Sequence, residues 1–184
     1  MLPTYTARGQ SSWGKFLFWM LLALLGFIAD QATKLYFVRA FEPGQVSPVF
    51  PGFNLVLAYN RGAAFSFLAQ AGGWQVFFFS ALAIAIIVGL VVLLWRYNSL
   101  KLFSLSMALI LSGALGNLVD RLLYGYVIDF LDFYVNHLHW PAFNLADTFI
   151  CIGAGLMILD ELKGLRSRHP TGNKPRERNS SKMR

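Results

Sequence analysis

Residues 74–95 read WQVFFFSALAIAIIVGLVVLLW, an unbroken uncharged run with a tryptophan at each end. As a helix, such a run is long enough to cross the ~30 Å hydrocarbon core of a bilayer. Its two indoles would then sit at the two interfaces, where aromatic anchors collect. The rest of the chain agrees. It has 184 residues, is 56% hydrophobic and is only 14% charged, whereas a soluble domain is about one-quarter charged. There are 17 Phe and 5 Trp, and the apolar residues come in long blocks, so the composition is that of a membrane protein.

Three further segments have spanning length, which gives four expected transmembrane helices at about 16–38, 74–95, 102–123 and 142–162. The first is uncharged from Phe16 to Ala29 and then meets DQATK. It is too long for a signal-peptide core and lacks an A-x-A cleavage pattern, so it reads as a retained helix. The net charge of +7 does not describe a nucleic-acid surface, because eight of the sixteen Lys and Arg residues lie between Lys163 and Arg184. That basic tail reads as a solvated cytoplasmic end that touches anionic lipid.

Orientation follows from the basic residues. With four spans, Arg8, Lys15, Arg96, Lys101 and the eight residues of the tail fall on one side. Lys34, Arg39, Arg61 and Arg121 fall on the other. The positive-inside rule then puts both termini in the cytoplasm. The expected organisation is a cytoplasmic N-terminus over 1–15, a membrane domain over 16–163 and a disordered cytoplasmic tail over 164–184.

Six of the nine acids, Asp30, Glu42, Asp120, Asp129, Asp132 and Asp147, belong to the outer half. An ionisable group at mid-bilayer costs roughly 2.5–3.5 kcal/mol on insertion scales. Several acids converging on one side point to a shared polar cavity. Two outer segments border it. In 39–73, the Pro51-Gly52 and Asn60-Arg61-Gly62 turns flank a weak strand pattern. Segment 124–141 is amphipathic and reads as a short interfacial helix or loop. The fold class is therefore an all-α membrane protein with a small, partly β extracytoplasmic segment.

The motifs carry local chemistry. Asp30 and Lys34 are four apart on one helix face and form either a neutralising pair or part of a site. Ser112 and Gly116, in LSGALGNLVDR, let helices approach closely. Asn117, Asp120 and Arg121 read as a buried clamp, with Arg121 beside Asp120 making that acid a poor proton donor. Asp129 lies between Ile128 and Phe130 and should be desolvated. Asp132 should face water. Asn144 precedes Asp147 at helical spacing, close enough for an amide to bond it. Cys151, the only cysteine, reads as inert packing, and His137 and His139 as surface groups. No zinc pattern is present in the sequence.

Hydrolysing a peptide bond calls for a base to activate water and an acid to protonate the carbonyl or the leaving amine. Two carboxylates sharing a proton do both. At about 4 Å and an effective dielectric near 20 they repel by roughly 4 kcal/mol, enough to keep one protonated near neutral pH. The spacing of the aspartates does not by itself say which two meet.

DQATK, NRGAAF, GNLVDR, VIDF and FNLAD, in this order on four spans, resemble the lipoprotein signal peptidases (bacterial signal peptidase II) over about residues 16–163. The resemblance implies an aspartyl endopeptidase of the bacterial inner membrane. Such an enzyme removes signal peptides from prolipoproteins by cutting before a diacylglyceryl-modified cysteine. It implies that Asp129 and Asp147 are the catalytic pair. Asn60, Gly62, Asn117, Asp120, Arg121, Asn144, Ala146, Asp30 and Lys34 match supporting or substrate-binding positions. It further implies no metal or other cofactor, membrane lipid and prolipoproteins as partners, no nucleic acid, and a monomer. Three other classes compete with this reading. A proton-coupled transporter would need a polar row through spans two and four. A Ser/Lys peptidase would pair Lys34 with Ser66, but Asp30 is placed to neutralise Lys34. A purely structural protein would leave the motif set unexplained.

Overall fold

The computed structural model describes residues 11–62 and 73–168, with side chains as far as Lys163. Arg8, Ser66, the Ala63-Ala64-Phe65 end of NRGAAF and the chain beyond Arg168 lie outside the described residues. Four long helices carry the fold: α1 (Trp13–Ala40), α2 (Trp74–Tyr97), α3 (Lys101–Tyr124) and α4 (Leu145–Arg168). Between them run β1 (Val46–Phe50), β2 (Phe53–Asn60), β3 (Val127–Val135) and β4 (Leu138–His139).

Among the described residues, α1, α2 and α3 are long and apolar enough to cross a membrane, with mean hydropathies of 1.7, 3.0 and 1.8. Helix α4 occupies the fourth expected segment but is uncharged only from Thr148 to Leu159, with Asp147 before that stretch and Asp160, Glu161 and Lys163 after it. Leu17, Leu21, Leu24 and Ile28 of α1 and Phe77, Leu82, Ile84 and Val88 of α2 point outward. Apolar faces of this kind meet lipid, because a bilayer supplies no hydrophobic force for burying them.

Helix α3 is the hub, packing against the other three helices. Its buried face includes Ser106, Ala108, Ser112, Gly113, Ala114, Gly116 and Asn117. Small residues let backbones approach. A Cβ on Gly113 would strike the Ala146 carbonyl of α4, and one on Gly116 would strike Asp30 of α1.

The strands form one antiparallel sheet in the order β1-β2-β3-β4. Pro51-Gly52 makes the β1–β2 turn as expected, with Gly52 at φ 95°, where glycine suffers no Cβ clash. Strand β2 pairs with β3 through Phe53↔Phe133, Ala58↔Asp129 and Asn60↔Val127, with a bulge between Leu55 and Ala58. Segment 124–141 is therefore neither the expected interfacial helix nor a loop. Its β-branched and aromatic residues form a strand buried on both faces at its start, so no polar alternation marks it. Ile128 and Phe130 pack with Phe37 of α1 and with Leu57, Phe130 stacking on Phe37 at 4.3 Å. Asp129 lies on the opposite face of the strand, since side chains alternate along it.

Gly113→Ala should cost about 1–3 kcal/mol, because the nearest obstructing atom is the α4 backbone carbonyl of Ala146, with the Ile150 side chain behind it. Gly89→Ala, with nothing within 4 Å of the new methyl, should be neutral or slightly stabilising. Melting midpoints of the detergent-solubilised variants check this contrast.

Candidate active site

Asn144 stands one residue before α4, where a helix leaves N–H groups unpaired. Its Oδ1 accepts from Asp147 N at 2.9 Å, and Asp147 Oδ2 accepts from Asn144 N at 3.3 Å. This is a reciprocal capping box. The cap fixes the Asp147 carboxylate at the mouth of the helix, and its Oδ1 accepts a further bond from Asn117 Nδ2 at 2.8 Å.

The free end of the same amide reaches the other strand. Asn144 Nδ2 donates to Asp129 Oδ1 at 2.8 Å and also approaches Ile128 O and Asn117 Oδ1 at 3.2 Å. Asp129 Oδ2 accepts from Asn60 Nδ2 at 3.2 Å. One fully buried asparagine thus touches both carboxylates. Asp129 is 2% exposed. Burial foremost, then the charge of Asp147, push its carboxyl up to about 8 from an ordinary 3.8, against the hydrogen bonds of Asn60 and Asn144 and the charge of Lys34.

Beneath the pair lies a buried ion cluster. Lys34 Nζ contacts Asp30 Oδ2 at 2.9 Å and Asp120 Oδ2 at 2.8 Å, and donates to Asn117 Oδ1 at 3.1 Å. Asp30 Oδ1 accepts from Ala146 N at 2.9 Å, and Asp120 Oδ2 from Ile128 N at 3.1 Å. Gln31, a residue of DQATK that the sequence reading passed over, donates to both acids. The expected Asp30–Lys34 pair is present. The buried clamp expected of Asn117, Asp120 and Arg121 does tie α3 to its neighbours, but the cation that pairs with Asp120 is Lys34 of α1 and not the adjacent Arg121, because successive helix residues point apart. Arg121 instead donates to Asn117 O at 3.3 Å and Gly62 O at 3.4 Å, and lies over the Phe79 ring at 5.7 Å. Gly62 N closes the turn on Asn60 Oδ1 at 2.9 Å.

A cavity of about 670 Å³ opens beside these groups. Asn60, Asn117, Arg121, Asp147 and Thr148 form its polar end, while Phe79, Leu82, Ala83 and Ile86 of α2 and Ile110 and Ala114 of α3 form an apolar wall. Cys151 also lines the cavity and is exposed rather than packed away; it lies one helical turn after Asp147, on the same face. Asp132, expected in water, is only 6% exposed and bonds Asn54 and His139. Among the described residues no group of three or more His, Cys, Asp or Glu is arranged to hold a metal ion.

Residues 22–163 match the family model described as signal peptidase (SPase) II. The chain belongs to the signal peptidase II family. A lipoprotein signal peptidase of Ralstonia nicotianae is 55% identical over 148 residues, 80% of this chain and 86% of its own length. That of Burkholderia mallei is 53% identical over 157 residues, covering 85% and 95%. A solved bacterial membrane enzyme, determined by the in meso method at 2.3 Å resolution, superposes with a TM-score of 0.72 at 31% identity, over 85% of this chain and 94% of that one. A second, at 1.9 Å resolution, gives 0.68 at 32% identity over 79% and 92%. The peptidase is thus a multi-pass membrane protease.

Removing the ammonium should be severe. Lys34→Met leaves two buried carboxylates unpaired and should cost about 3–5 kcal/mol. Adding Asp30→Asn and Asp120→Asn to that variant should restore part of the loss. Unfolding of the two proteins under identical detergent conditions checks this.

Proposed function

We propose that this peptidase removes signal peptides from diacylglyceryl-modified prolipoproteins, cutting before the lipidated cysteine, with Asp129 and Asp147 as the catalytic pair. The observation that carries the reading is that Asn144 contacts both carboxylates beside a cavity lined largely by apolar residues. Such a wall suits acyl chains and a signal helix, and the polar end suits a peptide bond.

At neutral pH the pair holds one proton, on Asp129, whose carboxyl titrates near 8. Asp147 carries the charge, held by Asn117 Nδ2 and Asn144 N. Water attacks the scissile carbonyl as Asp147 takes its proton and Asp129 gives one to the carbonyl oxygen. The tetrahedral diol then collapses. Its C–N bond breaks, Asp147 passes its proton to the departing nitrogen, and a diol hydroxyl returns a proton to Asp129. The products are the signal-peptide carboxylate and the free α-amino group of the lipidated cysteine. Burial strengthens each of these interactions, and fixed amides replace mobile solvent. Neither a metal nor another cofactor enters.

The basic residues favour four spans with both termini in the cytoplasm, which puts the pair at the extracytoplasmic rim of the bacterial inner membrane. A substrate anchored by its lipid in the outer leaflet meets the pair at that depth. The peptidase works as a monomer and takes no nucleic acid.

Two outcomes test the reading. Asp129→Asn and Asp147→Asn should each lower turnover of a purified lipidated precursor by a factor on the order of 10³ or more, with the protein still folded in the membrane. Full turnover by either variant would remove that residue from the pair. The pH profile is the second. Deprotonation of Asp129 above about 8 removes the acid, so the rate should fall about tenfold per pH unit beyond that point. A profile still rising past pH 9 would contradict the assignment.

A further inference from the structure

The hairpin after β3 carries a polar pair that the cleavage chemistry does not use. Asp132 is buried in the strand, and His139 Nδ1 lies 2.9 Å from its Oδ1 and 3.0 Å from its Oδ2. Asn54, buried on β2 directly across from Asp132, donates to Oδ2 at 2.8 Å. A carboxylate only accepts, so the imidazole presents its Nδ1–H to Asp132. The ring also stacks on Tyr134, 5.1 Å away.

Among the described residues, little else holds β4. It is two residues long and pairs with β3 only through Tyr134↔His139 and Val135↔Leu138, and Leu138 is 80% exposed. So short an edge strand has marginal stability by itself. Beyond it, Trp140, Pro141, Ala142 and Phe143 all line the cavity. Their far end is fastened: Phe143 O accepts from Phe130 N and Leu131 N, and Asn144 bonds the aspartates. Their near end is fastened by Trp140 N to Phe133 O at 2.7 Å and by His139.

We propose that His139 is a positioning residue that, through its bond to Asp132, holds residues 140–143 in place as the cavity wall against which substrate packs. The inference rests on the reading of the cavity as the substrate site. His139 touches no reacting atom. Asp129 and Asp147 are held by Asn60, Asn117 and Asn144, so the chemistry of a bound substrate is spared and the loss falls on binding.

Steady-state cleavage of one diacylglyceryl-modified precursor by wild type, His139→Ala, His139→Asn and His139→Gln tests this. An asparagine places its amide nitrogen one bond from Cγ, as histidine places Nδ1; glutamine sets it one atom farther out. His139→Ala should raise KM about five- to tenfold with kcat within about twofold. His139→Asn should return KM to near wild type, and His139→Gln should not. A general structural role would lower kcat with stability and would not single out asparagine. An unchanged KM in His139→Ala, a loss confined to kcat, or no rescue by His139→Asn would each overturn the proposal. If wild type does not cleave the precursor at all, the reading of the cavity falls and takes this inference with it. If wild type cleaves it and the variants match wild type, only the positioning role falls.

Discussion

The ammonium of Lys34, 1% exposed between Asp30 and Asp120, ties four elements of the peptidase together. Desolvating a charge costs several kcal/mol, which close partners and further hydrogen bonds must offset. Here the offsetting bonds come from elsewhere in the chain. Asp30 accepts from Ala146 N of α4, and Asp120 accepts from Ile128 N of β3. Asp147 and Asp129 follow those two residues directly. The cluster therefore holds the backbone on which each carboxylate of the proposed pair stands, and through Asn117 it also orients a side chain that bonds Asp147. A network satisfied at every member has few other arrangements of similar energy.

Such a network requires helices in close contact, which the small face of α3 allows. Gly113 and Gly116 bring α3 against Ala146 and Asp30 with no room for a methyl group. Helix α2 contributes Phe79, Leu82, Ala83 and Ile86 as an apolar wall and leaves a cavity open. The same close packing buries Asp129, and that burial, with the charge of Asp147, pushes its carboxyl up to about 8. Strongly perturbed titration of this kind gathers at functional sites.

Local relations could be read from the sequence, and distant ones could not. Lys34 is one turn from Asp30, and Asp147 is three residues from Asn144, so helical spacing disclosed both contacts. The tryptophan-bounded run at 74–95 disclosed a helix because nothing polar interrupts it. The bond from Lys34 to Asp120 joins α1 to α3, so the neighbouring Arg121 was the wrong partner to infer. Strand β3 escaped because VIDF is buried on both faces and shows no alternation. Asp132 looked solvated because its partners, Asn54 and His139, approach it through sheet pairing rather than spacing. Which aspartates meet was open from residue pattern alone and came from resemblance; in the fold, both contact Asn144.

Infrared difference spectroscopy of the purified peptidase tests directly for the proton proposed on the pair. At neutral pH a protonated-carboxyl stretch should be present, should vanish in Asp129→Asn, and should titrate away in wild type near pH 8. A spectrum with no such band at neutral pH, or a band unaltered by Asp129→Asn, would contradict a proton held between Asp129 and Asp147.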